Sequence, residues 1–276
     1  MDAILLAAGY GTRLYPLTKD TPKALLPLGP KDVVLDGIME ELVKVPDLRR
    51  VVMVTNHRFA EPFQGWVAKR RGSRIQTEVI DDGTSTNETR LGAIRDLMLG
   101  LERLRPAQDV LVLGTDNLFS WSLVDLVRAA TSRGPAATMA VREVPTLEEA
   151  SRMGVVKVDA NQRILECLEK PKQPPSRLIS LCVYYFPAAM HRRFEEFVRG
   201  GGNPDAPGFF MEWLVKTEPV YSYPTSGEWL DIGSPETYRQ AVEWWSARSQ
   251  QKSVERQVQK SEVRNQKSEI RRQKSD

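Results

Sequence analysis

The 276-residue chain predicts an α/β fold: a mixed, mostly parallel central sheet flanked by helices, followed by a smaller antiparallel lobe. Three observations carry this. In the first half, short apolar runs alternate with stretches of helical apolar spacing, and strands separated by helices pair in parallel through right-handed crossovers. In the second half, strand-like runs follow one another across turns, which suggests an antiparallel or mixed extension of the sheet. The length suits one large domain or two small ones, and no linker separates the halves. We therefore expect one domain over 1–245, with lobes at 1–144 and 145–245, and a charged tail over 246–276.

In order, the first strand is Ala3–Ala8, an apolar run that enters a glycine-rich turn. A helix over Val33–Val45 precedes the strand Arg50–Thr55. A second over Phe59–Arg71 precedes Gln76–Ile80, and a third over Thr89–Leu104 precedes Val110–Leu113. The third is the clearest, with Leu91, Ile94, Leu97, Met98 and Leu101 at helical spacing. Ala136–Val144, Gly154–Val158, Ile164–Glu169 and Ile179–Phe186 are strands, with the turn Asp159-Ala160-Asn161-Gln162 among them. Helical spacing returns at Ala188–Val198, around Phe209–Val215 and at Pro235–Ser246, while Arg199–Gly208 is a glycine- and proline-rich loop.

The composition is that of an ordinary globular protein, 41% hydrophobic and 27% charged. No apolar run approaches the roughly 18 residues of a membrane span. The first strand begins directly after Met1 and leaves no room for a signal peptide, and Cys167 and Cys182 read as buried free thiols; both point to the cytoplasm. The net charge of +3 is a property of the tail: residues 246–276 hold nine Lys/Arg and four Asp/Glu, which leaves 1–245 at −2. Gln-Lys-Ser recurs at 251, 259, 266 and 273, but each repeat offers about one apolar residue, too few for a coiled-coil seam. The tail is expected to be disordered. No aromatic residue interleaves its cations, so no nucleic-acid partner is expected.

The chemistry begins at Leu6-Ala7-Ala8-Gly9-Tyr10-Gly11-Thr12-Arg13, closed by Pro22-Lys23. Glycines let the backbone approach a bulky anion, and exposed N–H groups in such a turn form a concave anion site. Arg13 and Lys23 can neutralise phosphate oxygens, one as a planar fork and one as a point charge. A P-loop is excluded because Thr12-Arg13 follows Gly11, and a dinucleotide fingerprint because Leu14 stands where the third glycine belongs. Asp116 and Asp231, each at a strand end, can share one hard cation through oxygen. Glu169 can accept from sugar hydroxyls and Lys170 can hold a second phosphate. His57 and His191 have no partner at metal spacing and read as structural or exposed.

These motifs together resemble the sugar-1-phosphate nucleotidylyltransferases: Gly-x-Gly-Thr-Arg with Pro-Lys in Leu5–Leu28, then Gly114-Thr115-Asp116-Asn117, Gly154-Val155-Val156, Glu169-Lys170-Pro171 and Trp229-Leu230-Asp231-Ile232-Gly233. The resemblance covers roughly residues 2–245. It implies a Rossmann-like nucleotide-diphospho-sugar transferase fold and a Mg²⁺-dependent displacement between a nucleoside triphosphate and a sugar 1-phosphate. By the family's pattern Leu6, Ala8, Gly9, Gly11 and Thr12 line the nucleotide, and Arg13 and Lys23 are catalytic. Asp116 and Asp231 hold Mg²⁺; Gly154 and Glu169 contact the sugar, and Lys170 its phosphate. Tyr184 is a further candidate sugar contact. Where relatives carry a Gln-containing base-reading segment this chain has Asp81–Glu88, and Asp82 could accept from an exocyclic amine or ring N–H. Cys182 replaces a glycine found in many relatives. Two other readings stay open: a cytidylyltransferase acting on phosphocholine, and a catalytically silent relative that binds nucleotide sugar. No membrane partner is expected, and a homo-oligomer stays open.

Overall fold

The computed structural model describes residues 1–252 except 71, 106 and 107, together with residue 255. Its central strands are β1 (Asp2–Leu6), β2 (Arg50–Thr55), β3 (Gln76–Asp81) and β4 (Val110–Gly114). They lie in the order β4-β1-β2-β3, all parallel. β1 and β4 are covered on both faces, which is why they read as unbroken apolar runs rather than alternating ones. Successive side chains still feed opposite cores: Leu5 packs with Leu35, Phe59 and Phe63, and Ile4 with Ile94, Leu97 and Phe194.

The connecting helices are α1 (Val34–Leu42), α2 (Ala60–Ala68) and α3 (Ala93–Leu104). Asp36 starts α1 by accepting the Val33 N–H at 2.8 Å, filling one of the orphan donors of a helix N-terminus. β1 ends at Leu6, two residues before the expected Ala8. α3 begins at Ala93 rather than Thr89, because Gly92 holds φ +90° and cannot continue a helix backwards.

After β4 come β5 (Asn117–Phe119), α4 (Leu123–Thr131), β6 (Ala137–Glu143) and α5 (Leu147–Ala150); β7 (Gly154–Val158), β8 (Ile164–Glu169) and β9 (Leu178–Phe186) follow. β9 runs antiparallel to both β4 and β6 and so joins the two lobes in one sheet. β7 and β8 form a hairpin attached at Val155↔Ile179. α6 (Arg192–Arg199) and α7 (Pro207–Leu214) pack beneath, and β10 (Val220–Pro224) adds in parallel to β6. Of these, β5, α4, α5 and β10 are additional to the sequence reading.

β11 (Trp229–Asp231) leaves the main sheet and pairs antiparallel with β5. A last helix, α8, covers 235–252. It corrects the expected start of a disordered tail at 246: Arg248 Nη2 donates to Glu41 Oε1 at 3.0 Å, and Lys252 pairs with Glu40. The expectation for 256–276 lies outside the described residues. No helix among the described residues is long and apolar enough to cross a membrane.

Candidate active site

The glycine loop leaves the carboxyl end of β1, where ligands of parallel α/β sheets bind. Gly11 holds φ +63° and starts a single 3₁₀ turn, Thr12–Leu14, which turns Arg13 outward while Leu14 is buried. The Thr18 hydroxyl donates to the Gly11 carbonyl at 2.7 Å and fixes the loop from below. Lys23 opens a second 3₁₀ turn, Lys23–Leu25, preset by Pro22 in extended conformation.

Three cavities meet here. One of about 230 Å³ is lined by Leu6, Ala8, Gly9, Gly11, Lys23 and Asp116, with Gly92 and Asp96 at its far wall. A second of about 230 Å³ lies between Thr12, Arg13, Lys23, Asp116 and Gly233. The third, about 1000 Å³, is bounded by Arg13, Asp231 and Trp229 on one side and Lys170, Arg142, Arg152 and Arg177 on the other. Arg13 lines both the second and the third, and Lys23 and Asp116 both the first and the second.

Asp116 and Asp231 come together through the β5–β11 ribbon, which sets Asp231 opposite Asn117. The Ile232 N–H donates to the Asp116 carbonyl at 2.8 Å and locks that register. Asn117 orients the carboxylate: its Nδ2 donates to Asp116 Oδ1 at 2.9 Å, while its Oδ1 accepts from Trp229 Nε1 at 2.9 Å. Lys23 Nζ donates to Asp116 Oδ2 at 3.0 Å. Burial works to raise the Asp116 carboxyl, but the Lys23 ammonium and its hydrogen bond outweigh it and hold the group below the usual carboxylate range. Asp231 goes the other way, up to about 6, through burial and then the neighbouring Asp116 charge. Among the described residues no group of three or more His, Cys, Asp or Glu forms a metal cage.

On the other lobe Gly154 and Glu169 face each other across the β7–β8 hairpin. The Glu169 side chain is 10% exposed and lies 3.5 Å from Lys170 Nζ. It leans against α7 so closely that a Cβ on Gly208 would stand 1.8 Å from Glu169 Oε2. Burial raises its carboxyl, against the pull of Lys170. Lys170 itself sits at φ +48°, a left-handed conformation uncommon outside glycine, and lines the large cleft. Gly154 and Glu169 stand behind that cleft rather than on its wall.

Two expected residues fall elsewhere. Tyr184 is 3% exposed, packed among core side chains, with its hydroxyl 3.2 Å from Ser180 Oγ, and lines none of these cavities. Alternation along β9 sends it into the core. Asp82 is also held back: its Oδ1 accepts from both the N–H and the hydroxyl of Thr84, each at 2.7 Å. The cavity wall is formed instead by Asp96, which the sequence reading missed because one aspartate inside an amphipathic helix looks like any polar-face residue. Cys182 lines the same cavity at φ +53°, at the bulge where β9 slips register against β6. His57 is exposed and paired with Asp81 at 2.6 Å, outside the site.

The chain is 28% identical over 250 residues to a glucose-1-phosphate adenylyltransferase of Fervidobacterium nodosum; the match takes in 85% of this chain and 59% of that protein, so this chain spans well under two thirds of its length. In fold it matches a UDP-glucose pyrophosphorylase complexed with UDP-glucose, at a TM-score of 0.75 and 21% identity, over 90% of this chain and 98% of the other. It also matches a Bacillus anthracis protein assigned as a glucose-1-phosphate thymidylyltransferase, in complex with sucrose, at a TM-score of 0.73 and 24% identity, over 88% and 94%. The sequence profile described as nucleotidyl transferase runs through residues 2–246, taking in both lobes and both carboxylates, and by that match the chain belongs to the nucleotidyl transferase family.

Proposed function

We propose that this protein transfers a nucleotidyl group from a nucleoside triphosphate to a sugar 1-phosphate. The observation that carries the reading is the convergence of Arg13, Lys23 and two carboxylates, Asp116 from the β4–β5 turn and Asp231 from β11, where three cavities meet. The triphosphate would occupy the cavities beside Gly9 and Gly11, and the acceptor the cleft lined by Lys170. An acceptor phosphate oxygen attacks the α-phosphorus; the bond to the β-phosphate breaks, and its electron pair leaves with pyrophosphate. No covalent enzyme intermediate is needed, so the protein's contribution is positioning and charge stabilisation. Lys23 offsets charge at the reacting phosphates, Arg13 at the leaving pyrophosphate, and Lys170 at the acceptor phosphate.

The site also fits Mg²⁺. Asp116 and Asp231 offer hard oxygen donors, and the Asp231 carboxyl is raised by burial and then by the neighbouring Asp116 charge, both of which a cation would offset. Those two aspartates would hold the ion, which when bound neutralises phosphate charge. Phosphocholine is a poorer acceptor. The cleft wall carries Arg13, Arg142, Arg152, Arg177 and Lys170 but a single aromatic, Trp229, where a quaternary amine needs an aromatic cage. The test is pyrophosphate release over a grid of five nucleoside triphosphates against sugar 1-phosphates and phosphocholine, with Mg²⁺ or a chelator. Release that depends on one sugar 1-phosphate and on Mg²⁺ supports the proposal; a blank grid with nucleotide binding retained favours the silent relative.

A further inference from the structure

A buried carboxyl pair lies beside the nucleotide cavity, and the phosphate chemistry does not use it. Asp82 follows β3, and Asp96 sits in the first turn of α3. Asp82 Oδ2 and Asp96 Oδ1 are both sealed from solvent, and neither meets an N–H or O–H donor among the described residues. Two such oxygens are tolerated side by side when one proton lies between them. Burial, then the Asp82 charge, pushes the Asp96 carboxyl up to about 7, and burial raises Asp82 as well. Asp82 is committed on its other side to the two bonds from Thr84. The proton is therefore held by Asp96 and donated to Asp82.

That arrangement fixes what Asp96 can offer a ligand. The residue is 5% exposed and lines the cavity beneath Gly9 and Gly11. Its Oδ2 accepts no bond from the described residues, and with the proton committed to Asp82 it is an acceptor only. We propose that Asp96, held in place by Asp82, reads the nucleobase and selects one bearing an exocyclic amine over uracil or thymine. An amine N–H satisfies the waiting oxygen. The atom of uracil or thymine at the same position is a carbonyl oxygen, which would set acceptor against acceptor, so those bases could satisfy Asp96 only by shifting to offer N3–H. Sites built around one such hydrogen bond discriminate strongly, because the mismatched base leaves a buried polar group unpaired.

The position is tied to the phosphate loop. The Thr84 hydroxyl that donates to Asp82 lies 3.1 Å from the hydroxyl of Tyr10, between the two loop glycines. Asp82 is accordingly a positioning residue and Asp96 the one that touches the base. The inference rests on the proposed nucleotidyl transfer for its choice of ligand.

The experiment measures binding by calorimetry and kcat/KM for ATP, GTP, CTP, UTP and dTTP, on the full chain and on Asp96→Ala, Asp96→Asn and Asp82→Asn. At least one of ATP, GTP or CTP should be preferred over UTP and dTTP by about 10²-fold or more. Asp96→Ala removes the acceptor, so the gap should narrow at least tenfold, mainly in the nucleotide KM; Asp96→Asn, whose amide N–H takes over the donation to Asp82 and leaves its oxygen toward the base, should keep it, and Asp82→Asn should narrow it less than Asp96→Ala. Wild-type preference for UTP or dTTP overturns the inference, and so does a folded Asp96→Ala variant with unchanged preference. Should the variants not fold, the wild-type preference decides. A protein that binds an amino-bearing nucleotide selectively but releases no pyrophosphate fails the transfer and keeps the base reader. One that transfers from UTP does the reverse.

Discussion

Removing the Lys23 ammonium leaves Asp116 with Asn117 as its remaining side-chain donor, so the carboxyl loses the partner that holds it low. Lys23→Ala should therefore slow turnover by about 10²–10³-fold, the usual result of deleting one transition-state donor. Initial rates at saturating nucleotide would check it, and turnover within threefold of wild type would refute the role. Asp96 makes a second prediction, about stability. Its carboxyl sits near 7 in the fold against an ordinary 3.8. The folded protein then binds the extra proton between those values, so this contribution is fully present below about pH 4 and is lost as pH rises through 7. The loss amounts to at most about 4 kcal/mol. Asp96→Asn should raise Tm relative to wild type at pH 8.5 and converge with it near pH 4. Melting curves across that range test it, and a constant difference counts against the shifted carboxyl.

Strands β1, β2 and β4 were legible because both faces are buried, so they appear as plain apolar runs broken by amphipathic helices; β3, at the sheet edge, alternates exposed and half-buried residues. β5 and β11 are three residues each and owe their existence to one another, which no local pattern reveals. β10 has a weak pattern, Val-Tyr-Ser-Tyr-Pro, whose inward Ser222 is satisfied by Gln162 Oε1 at 2.7 Å. α4 is different: Ser122 caps it, and Leu123, Leu126 and Ala130 carry the helical spacing, so its signal is in the sequence and our reading omits it. In the site, the loop, both cations and both aspartates were readable from motifs, whereas Asp96 becomes distinctive only through the cavity beside it. The misplaced tail boundary has a physical cause too. Arg248 belongs by composition to the charged tail, yet it donates to the Phe119 carbonyl and to Glu41, whose side chain is 3% exposed. Arg248→Ala leaves Glu41 with Lys44 alone and should cost about 2–3 kcal/mol in a urea titration. A loss under 0.5 kcal/mol would mean that α8 is held by Trp245 and its neighbours in the small apolar cluster instead.

The whole molecule shares one main sheet, since β9 of the second lobe pairs with both β4 and β6 of the first. We expect a single cooperative unfolding transition, with circular dichroism and tryptophan fluorescence coincident. Two separated transitions would show that the β7–β8 hairpin and its helices melt on their own. A nucleotide that binds the folded state should move the entire transition upward. The β5–β11 ribbon has one more consequence, and it concerns time rather than geometry. A chain emerging from the ribosome delivers the glycine loop, Lys23 and Asp116 early, and the central strands can pair while translation continues. Asp231 is delivered long after them, on a strand that pairs with β5. A nascent or prematurely halted chain can thus present the glycine loop without the second carboxylate, so that under the proposed function nucleotide meets the complete site only once Asp231 has been added.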